Sequence, residues 1–311
     1  MLQPWLHARR RGCAASIPAG ALPSVSPPWQ PRRPTARLQR ARRLAEAMPV
    51  GLRFMTMNRE AARSSNVSLN GSLPFIFFDV GETLLHAPPS WHAVVAEVCA
   101  QRGRPVPAER IAAAEPAVWR AVRAGLHDLP QRWTLSREAS QRFWLWVYDR
   151  VLAEAGLSDA ERAGLAEACL ERFLHHDTWH LFPDALPVIK QLHAQGYRMG
   201  IISNWEDWLE ALLVKREIAA YFDPVVISGA VGYEKPEREI FELALTRAGV
   251  KPAEAIHIGD SLEADVAGAR SAGITPVLLD RLGRYHGTAV DCARITSLQE
   301  LPALLCVLRG A

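Results

Sequence analysis

The residues of this chain best suited to chemistry stand at or near the ends of predicted strands. They are Asp79, Ser203 with Asn204, Lys235, and Asp260 with Asp265. A carboxylate that attacks a phosphate dianion needs positive charge to offset the repulsion, and a lysine ammonium can supply it. A serine hydroxyl can donate to a phosphoryl oxygen, and carboxylate oxygens are ligands that Mg²⁺ prefers. These residue types therefore suit phosphoryl transfer assisted by a metal ion.

Each of these residues also has a purely structural explanation. Asp79 could start a turn, Asp260 could cap the helix that follows it, and Asp265 could be a solvated helix residue or the partner of a base. Chance could explain Lys235, but the chain has only four lysines among its 36 basic residues. A lysine kept where arginine dominates favours a need for a compact ammonium group.

A doubly wound parallel sheet would bring these residues together. Phe75–Phe78 is a run of large apolar residues, typical of a strand buried on both faces of a parallel sheet. After Phe182 strands and helices alternate, which predicts an α/β fold with right-handed crossovers. In such a fold the carboxyl ends of the strands share the edge where ligands bind. The predicted strands are Phe75–Phe78, Arg198–Ser203, Val225–Ser228, Ala255–Gly259 and Thr275–Asp280, and the predicted helices are Asp184–Gln195, Trp205–Ala220, Pro236–Ala248, Leu262–Ala272 and Ser297–Leu308.

Residues 86–182, called the helical insert below, differ from the rest in pattern. Apolar residues recur at three- and four-residue spacings, and no strand is predicted. We therefore predict an all-helical insert in a core made of residues 73–85 and 183–311. Its six tryptophans are expected to pack in the centre of a small bundle. The predicted helices are Trp91–Gln101, Ala108–Ala124, Arg137–Ala155 and Asp159–Leu174, the last two with Ser136 and Ser158 as N-caps.

Composition separates residues 1–72 from the rest of the chain. They carry 12 arginines, no lysine and two acids, a formal charge of +10 against +3 for the whole chain, which leaves −7 for residues 73–311. A mildly acidic globular part, and a basic segment without aromatic interleaving, argue against a nucleic-acid partner. No run approaches the roughly 18 consecutive apolar residues of a membrane span, so no membrane partner is expected. The sequence gives no indication of the oligomeric state.

The basic segment 1–72 has three interpretations. It could be a disordered tail, an organelle transit peptide, or sequence upstream of the true translation start, because Met48, Met55 and Met57 precede the first strand. A cytoplasmic protein is expected, or a mitochondrial or plastid one if the segment is a transit peptide. The five cysteines have neither metal-ligand nor CxxC spacing, which fits a reducing compartment.

The polar groups resemble, in order, the four motifs of the haloacid dehalogenase superfamily of phosphotransferases. The similar residues are Asp79 for the first motif, Ser203-Asn204 for the second, Lys235 before Pro236 for the third, and Gly259–Asp265 for the fourth. The resemblance spans residues 74–290. It implies a Rossmann-like core, a helical cap of the C1 type formed by the helical insert, and a small phosphorylated substrate.

The resemblance also implies roles for these residues. Asp79 would be the nucleophile that forms an aspartyl-phosphate. Ser203 and Lys235 would act in catalysis by binding the phosphoryl oxygens, and Asn204 would help to position the substrate.

The resemblance further implies Mg²⁺ as the cofactor. Asp79, Asp260 and the backbone carbonyl of Gly81 would supply the protein ligands of the ion. Asp265 would be an outer ligand or would hold the lysine of the third motif.

One position departs from the pattern of the phosphatases in this superfamily. They carry a second aspartate two residues after the nucleophile, which protonates the leaving oxygen and later activates water. Here that position is Gly81, and Glu82 is displaced by one residue from it. General acid–base catalysis supplies about 10²–10⁴-fold in rate, so we predict a slow enzyme or one confined to good leaving groups, and a gain in activity on restoring aspartate. Residues of the helical insert that could substitute are His86, His92, His175, His176 and Asp177.

Glycine at position 81 is also compatible with two other functions. A non-catalytic protein that binds a phosphorylated ligand or a protein partner would not need the missing acid. A 2-haloacid dehalogenase lacks it too, but such enzymes need no metal and usually replace the acidic pair of the fourth motif, which is intact here. A phosphonatase requires a lysine in the cap, and this chain has no lysine before Lys190, which excludes that activity.

Overall fold

The computed structural model describes residues 73–125 and 132–309. The interpretations of residues 1–72 lie outside this range. The strands are β1 Phe75–Phe78, β2 Leu85–His86, β3 His180–Leu181, β4 Met199–Ser203, β5 Val225–Ile227, β6 Ala255–Gly259, β7 Thr275–Leu279 and β8 Ala293–Ile295. The α-helices are α1 Trp91–Gln101, α2 Ala108–Arg123, α3 Arg137–Glu154, α4 Asp159–Arg162, α5 Leu165–Leu174, α6 Ala185–Ala194, α7 Leu209–Lys215, α8 Ser228–Val231, α9 Arg238–Ala248, α10 Gly268–Ser271 and α11 Leu301–Arg309.

Six strands form one sheet in the order β5-β4-β1-β6-β7-β8, and every neighbouring pair is parallel. Helices cover both faces. Ile76 and Phe78 pack with α6, α7 and α11 on one face, whereas Phe75 and Phe77 pack with α9 on the other. The alternation explains why β1 is apolar at every position, since neither face of the central strand meets water. The predicted doubly wound α/β fold is confirmed.

The helices of the helical insert have a hydrophobic cluster of their own. It runs from Ala87 to Phe173 and is built largely from α1, α2, α3 and α5. All six tryptophans of the helical insert are half-buried and pack against this cluster, and Trp179 also packs against a hydrophobic cluster of the core. Ser136 caps α3 as predicted, since its hydroxyl accepts the N–H of Ala139 at 3.1 Å. The amphipathic helices thus bury their apolar faces against one another.

Several predicted boundaries are wrong. The helix predicted over Asp159–Leu174 is two helices, because Gly164 adopts a left-handed φ of 77° between α4 and α5. The helix predicted over Trp205–Ala220 is reduced to α7 and a 3₁₀ turn at Ala219–Tyr221. The helix predicted over Leu262–Ala272 has nearly its predicted bounds, but its first part, Leu262–Ala267, is a π-helical turn that precedes α10.

The helical insert is not wholly helical. Its first residue, His86, and His180–Leu181 near its end form a two-stranded antiparallel ribbon, β2 with β3. The edge strand β8 was also missed by the sequence analysis. Within the described ranges, no helix is both long and apolar enough to cross a membrane.

Candidate active site

The register of the central strands sets the positions of the predicted site residues. Asp79 directly follows β1, and its backbone N–H donates to the carbonyl of Ile258 in β6 at 2.9 Å. The strand β6 ends at Gly259, so Asp260 emerges beside Asp79 at the same edge of the sheet. On the other side β4 ends with Ser203. Parallel strands that leave the sheet at one edge therefore gather residues nearly two hundred positions apart.

Lys235 lies at the centre of this edge. Its Nζ contacts Oδ1 of Asp79 at 2.7 Å and Oδ1 of Asp265 at 2.6 Å. The hydroxyl of Ser203 donates to the same Oδ1 of Asp79 at 3.3 Å. All four side chains are buried. A buried ammonium between two buried carboxylates is held by charge-assisted hydrogen bonds in a setting of little solvent screening.

Asp265 is held from three sides. Besides Lys235, Nε2 of His257 contacts its Oδ1 at 2.9 Å, and the backbone N–H of Ser261 donates to its Oδ2 at 3.0 Å. A Cβ on Gly259 would lie 2.1 Å from the carboxyl carbon of Asp265, so only glycine leaves room for this approach. The sequence analysis missed His257, although a histidine within the otherwise apolar run Ala255–Gly259 was a visible signal.

Asn204 engages the backbone of Lys235 from both ends of its amide. Its Nδ2 donates to the Lys235 carbonyl at 2.8 Å, and its Oδ1 accepts the Lys235 N–H at 2.7 Å. The amide thereby fixes the segment that carries the lysine. Contact between Asn204 and a substrate stays a prediction.

Three carboxylates form a cluster that could hold a metal ion. One oxygen from each of Asp79, Asp260 and Asp265 lies within 4.8 Å of the others. Asp260 also pairs with Arg284, whose Nη1 is 3.1 Å from Oδ2. Arg284 was missed because it lies in the segment after β7, where no residue pattern singles it out. Oxygen donors at this spacing suit a hard divalent cation.

The pKa values of the three acids diverge. Burial, together with the charges of Asp79 and Asp265, raises the pKa of Asp260 to about 8. Burial also raises the pKa of Asp79, although Lys235 opposes the shift. For Asp265 burial is outweighed by Lys235 and His257, and its pKa falls below its usual range. With all three carboxylates ionised, the edge would carry more negative charge than Lys235 and Arg284 neutralise.

Gly81 and Glu82 lie at the turn after Asp79. Glu82 has a left-handed φ of 54°, and its N–H donates to the carbonyl of Leu85 at 2.8 Å. Burial raises the pKa of its carboxyl, while the charge of Arg284 opposes the shift. The charge of Glu115 in α2 also contributes to the raised pKa of this carboxyl.

The candidate substitutes for the missing acid are engaged in other contacts. Oε2 of Glu115 is 2.7 Å from Nε2 of His92, and His86 stacks on Phe182 with 4.1 Å between ring centroids. Their catalytic role remains a prediction. The other contacts are His176 with Trp208, Asp177 with Lys215, and the N–H of Thr178 with the carbonyl of His175.

Comparison with known proteins agrees with this arrangement. A sequence model described as "haloacid dehalogenase-like hydrolase" matches residues 75–273, more than half of the chain. The chain belongs to the haloacid dehalogenase-like hydrolase family. The match begins at β1 and runs past β6, so it includes Asp79, Ser203, Lys235, Asp260 and Asp265, whereas Arg284 lies beyond it.

Two curated relatives and one solved structure are similar to this chain. The haloacid dehalogenase-like hydrolase domain-containing protein 3 of Homo sapiens is 31% identical over 208 residues, 63% of this chain and 80% of that protein. The glyceraldehyde 3-phosphate phosphatase of Methanopyrus kandleri is 35% identical over 149 residues, 45% of this chain and 60% of that protein. The HAD hydrolase YfnB of Bacillus subtilis, crystallised with magnesium, superposes with a TM-score of 0.58 at 21% identity, over 76% of this chain and 100% of that one. The last likeness is one of fold.

Proposed function

We propose that this protein is an Mg²⁺-dependent phosphatase that hydrolyses a small phosphorylated compound through an aspartyl-phosphate at Asp79. The observation that carries the proposal is the position of Asp79, between the ammonium of Lys235 and the carboxylate of Asp260. A nucleophilic carboxylate needs such positive charge and metal-binding oxygens around it to approach a phosphate dianion. A curated relative named for the hydrolysis of a small phosphate ester supports the substrate class.

The residues fit the proposed Mg²⁺. Asp79, Asp260 and the carbonyl of Gly81 would bind it, with Asp265 as an outer ligand. The donor set is all oxygen, and burial, with the charges of Asp79 and Asp265 added, raises the pKa of Asp260, which shows how closely the carboxylates approach one another. When bound, the ion would neutralise charge on the phosphoryl group and on Asp79.

The side chains of this site would divide the reaction between them. Asp79 would attack phosphorus, and the bond from phosphorus to the leaving oxygen would break to give an aspartyl-phosphate and the free leaving group. Lys235 and Ser203 would donate to the phosphoryl oxygens as charge shifts during transfer. Water would then cleave the acyl phosphate, which restores the Asp79 carboxylate and releases inorganic phosphate.

Gly81 offers no side chain to protonate the leaving oxygen. Leaving groups of low pKa, such as aryl and acyl phosphates, depart without that proton. We therefore propose a slow enzyme that prefers them. The helical insert would act as a cap that excludes water while the aspartyl-phosphate persists. The charge of Glu115, in α2 of the insert, contributes to the raised pKa of Glu82 at the turn after Asp79.

The decisive experiment is turnover of 4-nitrophenyl phosphate with and without Mg²⁺. Activity should require the metal and should vanish in Asp79→Asn, which removes the nucleophile. A denatured sample quenched during turnover should carry acid-stable, hydroxylamine-sensitive phosphate. The matched control is Asp291→Asn, since Asp291 pairs with Arg270 in an exposed ion pair 2.9 Å apart. Loss of activity in both variants alike would contradict the role of Asp79.

Gly81 also supports a second candidate, a non-catalytic protein that binds a phosphorylated ligand. That function predicts no turnover of 4-nitrophenyl phosphate and ligand binding that survives Asp79→Asn. Release of halide from a 2-haloacid without metal would instead show a dehalogenase, which the intact acidic cluster of Asp260 and Asp265 disfavours.

The proposal includes a cytoplasmic location. A mitochondrion or plastid is the alternative if residues 1–72 act as a transit peptide. Sequencing the amino terminus of the mature protein decides between them, because a transit peptide would be removed before β1.

A further inference from the structure

The ring of Trp205 occupies the space that a side chain at position 81 would need. A Cβ built on Gly81 would lie 3.3 Å from Cζ3 and 4.0 Å from Cε3 of Trp205. Trp205 stands two residues after Ser203, as Gly81 stands two residues after Asp79. The benzo edge of the indole therefore lies beside Gly81, at the turn that follows Asp79.

Space, and not backbone conformation, favours glycine at this position. Gly81 is not among the described glycines with a positive φ, so its backbone would accept an L side chain. The ring of Trp205 is the one group, apart from the chain neighbours of Gly81, that a Cβ there would meet within 4 Å. A contact of 3.3 Å requires the ring to give way, so the outcome depends on how firmly the ring is held.

The ring is held on several sides. Its centroid lies 4.7 Å from that of Trp179 in the helical insert and 5.5 Å from that of Trp208, both edge-to-face. The backbone is fixed as well, because the Trp205 N–H donates to the hydroxyl of Ser228 at 3.0 Å and its carbonyl accepts the N–H of Gly229 at 3.0 Å. These contacts oppose the shift of a few tenths of an ångström that a Cβ at position 81 would require of the ring.

We propose that Trp205 is a specificity-determining residue of this site, and that it acts with Gly81 as a coupled pair. This inference rests on the proposed phosphatase function. The ring edge presents an apolar wall at position 81 and crowds an acid placed there. The site therefore takes phosphate esters whose leaving group is apolar and departs without a proton, aryl phosphates above all, and restoring aspartate alone does not broaden it.

The pair is tested with a double-mutant cycle in Mg²⁺. The four proteins are the wild type, Gly81→Asp, Trp205→Leu and the double variant, each assayed with 4-nitrophenyl phosphate and with glycerol phosphate. Gly81→Asp alone should not raise kcat/KM for glycerol phosphate. The same change beside Trp205→Leu should raise it roughly tenfold or more, since general acid catalysis then becomes available. Trp205→Leu alone should lower the preference for the aryl ester. Equal gains from Gly81→Asp in both backgrounds would overturn the proposal.

Trp144→Leu is the matched control background. Trp144 packs against Phe143 and Tyr148 inside the helical insert, so its loss removes a tryptophan without opening space at position 81. Gly81→Asp should remain without benefit there. If Gly81→Asp raises kcat/KM for glycerol phosphate as much beside Trp144→Leu as beside Trp205→Leu, then loss of any tryptophan in this region has the same effect. That result would contradict a specific contact between Trp205 and position 81.

A stability cycle separates this inference from the proposed function. Gly81→Ala should lower the thermal midpoint in the wild-type background but not beside Trp205→Leu, whether or not the protein hydrolyses phosphate esters. Equal shifts in the two backgrounds would refute the coupling even in an active enzyme. If the effect of Gly81→Ala on the thermal midpoint depends on Trp205 but the protein hydrolyses no phosphate ester, the contact is supported and its role in substrate specificity is ruled out.

Discussion

Lys235 is the residue on which the charge balance of the site depends. Its ammonium is shared between Asp79 and Asp265, which are buried with it. Removing one member of a buried, hydrogen-bonded group leaves an uncompensated charge and costs about 3–5 kcal/mol. Asp265 therefore does two things at once: it keeps the ammonium charged and aims it at the Oδ1 of Asp79.

The first prediction concerns Asp265→Asn. The amide keeps the size of the side chain but loses the charge that orients Lys235, so kcat for 4-nitrophenyl phosphate should fall by roughly 10²-fold, as misplacement of a catalytic group does. Unfolding in urea should show a loss of about 3 kcal/mol. Glu263→Gln is the control, because Glu263 lies on the same π-helical turn but is exposed. Unchanged kcat in Asp265→Asn would show that Lys235 needs no such partner.

Individual residues of the site were predictable to different degrees. Asp79 and Asp260 could be placed at one edge because each follows a strand of a parallel sheet, and the carboxyl ends of parallel strands lie at the same edge. The contact of Trp205 with Gly81 could not be foreseen, since it depends on how the chain turns after β4. Restoring aspartate at position 81 was expected to raise activity, and the proposal for Trp205 now limits that expectation to backgrounds without the indole.

At the scale of elements, Asp184 ties three segments together. Its carboxylate accepts two hydrogen bonds from Arg281 after β7, both at 2.8 Å. It also accepts the Ser297 hydroxyl at 2.7 Å and the Leu298 N–H at 2.9 Å, just before α11. Since Asp184 precedes α6, one buried carboxylate joins the return from the helical insert to the last part of the sheet.

The buried carboxylate of Asp184 gives the second prediction, a dependence of the free energy of unfolding on pH. Burial opposes ionisation of Asp184, but the hydrogen bonds from Arg281 and Ser297 outweigh it and lower its pKa. A lowered folded-state pKa stabilises the protein above the unfolded value of about 3.9, and the effect is lost as pH falls through the folded value. Asp184→Asn should therefore reduce the free energy of unfolding by about 3–5 kcal/mol at pH 7, with a smaller difference below pH 4.

Urea unfolding of both proteins from pH 7 to pH 3 measures this difference. Asp207→Asn serves as the control, since Asp207 is exposed and pairs with Arg137 at 3.2 Å. Exposed pairs contribute about 0–1 kcal/mol, so that variant should resemble the wild type throughout. If the loss in free energy of unfolding caused by Asp184→Asn stays constant with pH, then packing of Asp184, and not its charge, provides the stabilisation.

Elements were predicted best where their pattern is long. The helix α1 and the strand β6 match their predicted bounds, because apolar spacing fixed the first and a continuous apolar run the second. The ribbon of β2 and β3 has two residues per strand, too few for any period to show. The break at Gly164 was visible as a glycine, but a glycine inside a helical pattern is often tolerated.

At the scale of the whole molecule, the site lies where the core and the helical insert meet. The core packs on both faces of the sheet, the insert has its own hydrophobic cluster, and Trp179 touches Trp205 across the two. Among the described residues, the three clustered carboxylates contact the basic side chains of Lys235, His257 and Arg284. A dication bound among these carboxylates would offset their mutual repulsion, so it should stabilise the folded protein.

The third prediction is therefore that Mg²⁺ raises the thermal midpoint. At a concentration about 100 times its Kd, a ligand that binds only the folded state adds about 2.7 kcal/mol, or about 5 °C for a chain of this size. Scanning calorimetry in MgCl₂ and in NaCl of equal ionic strength would measure the rise. It should be abolished in Asp260→Asn, which removes a ligand, and kept in Glu263→Gln. If Mg²⁺ raises the thermal midpoint equally in both variants, the ion binds at another site. If it does not raise the midpoint of the wild type, Mg²⁺ is not the cofactor of this site.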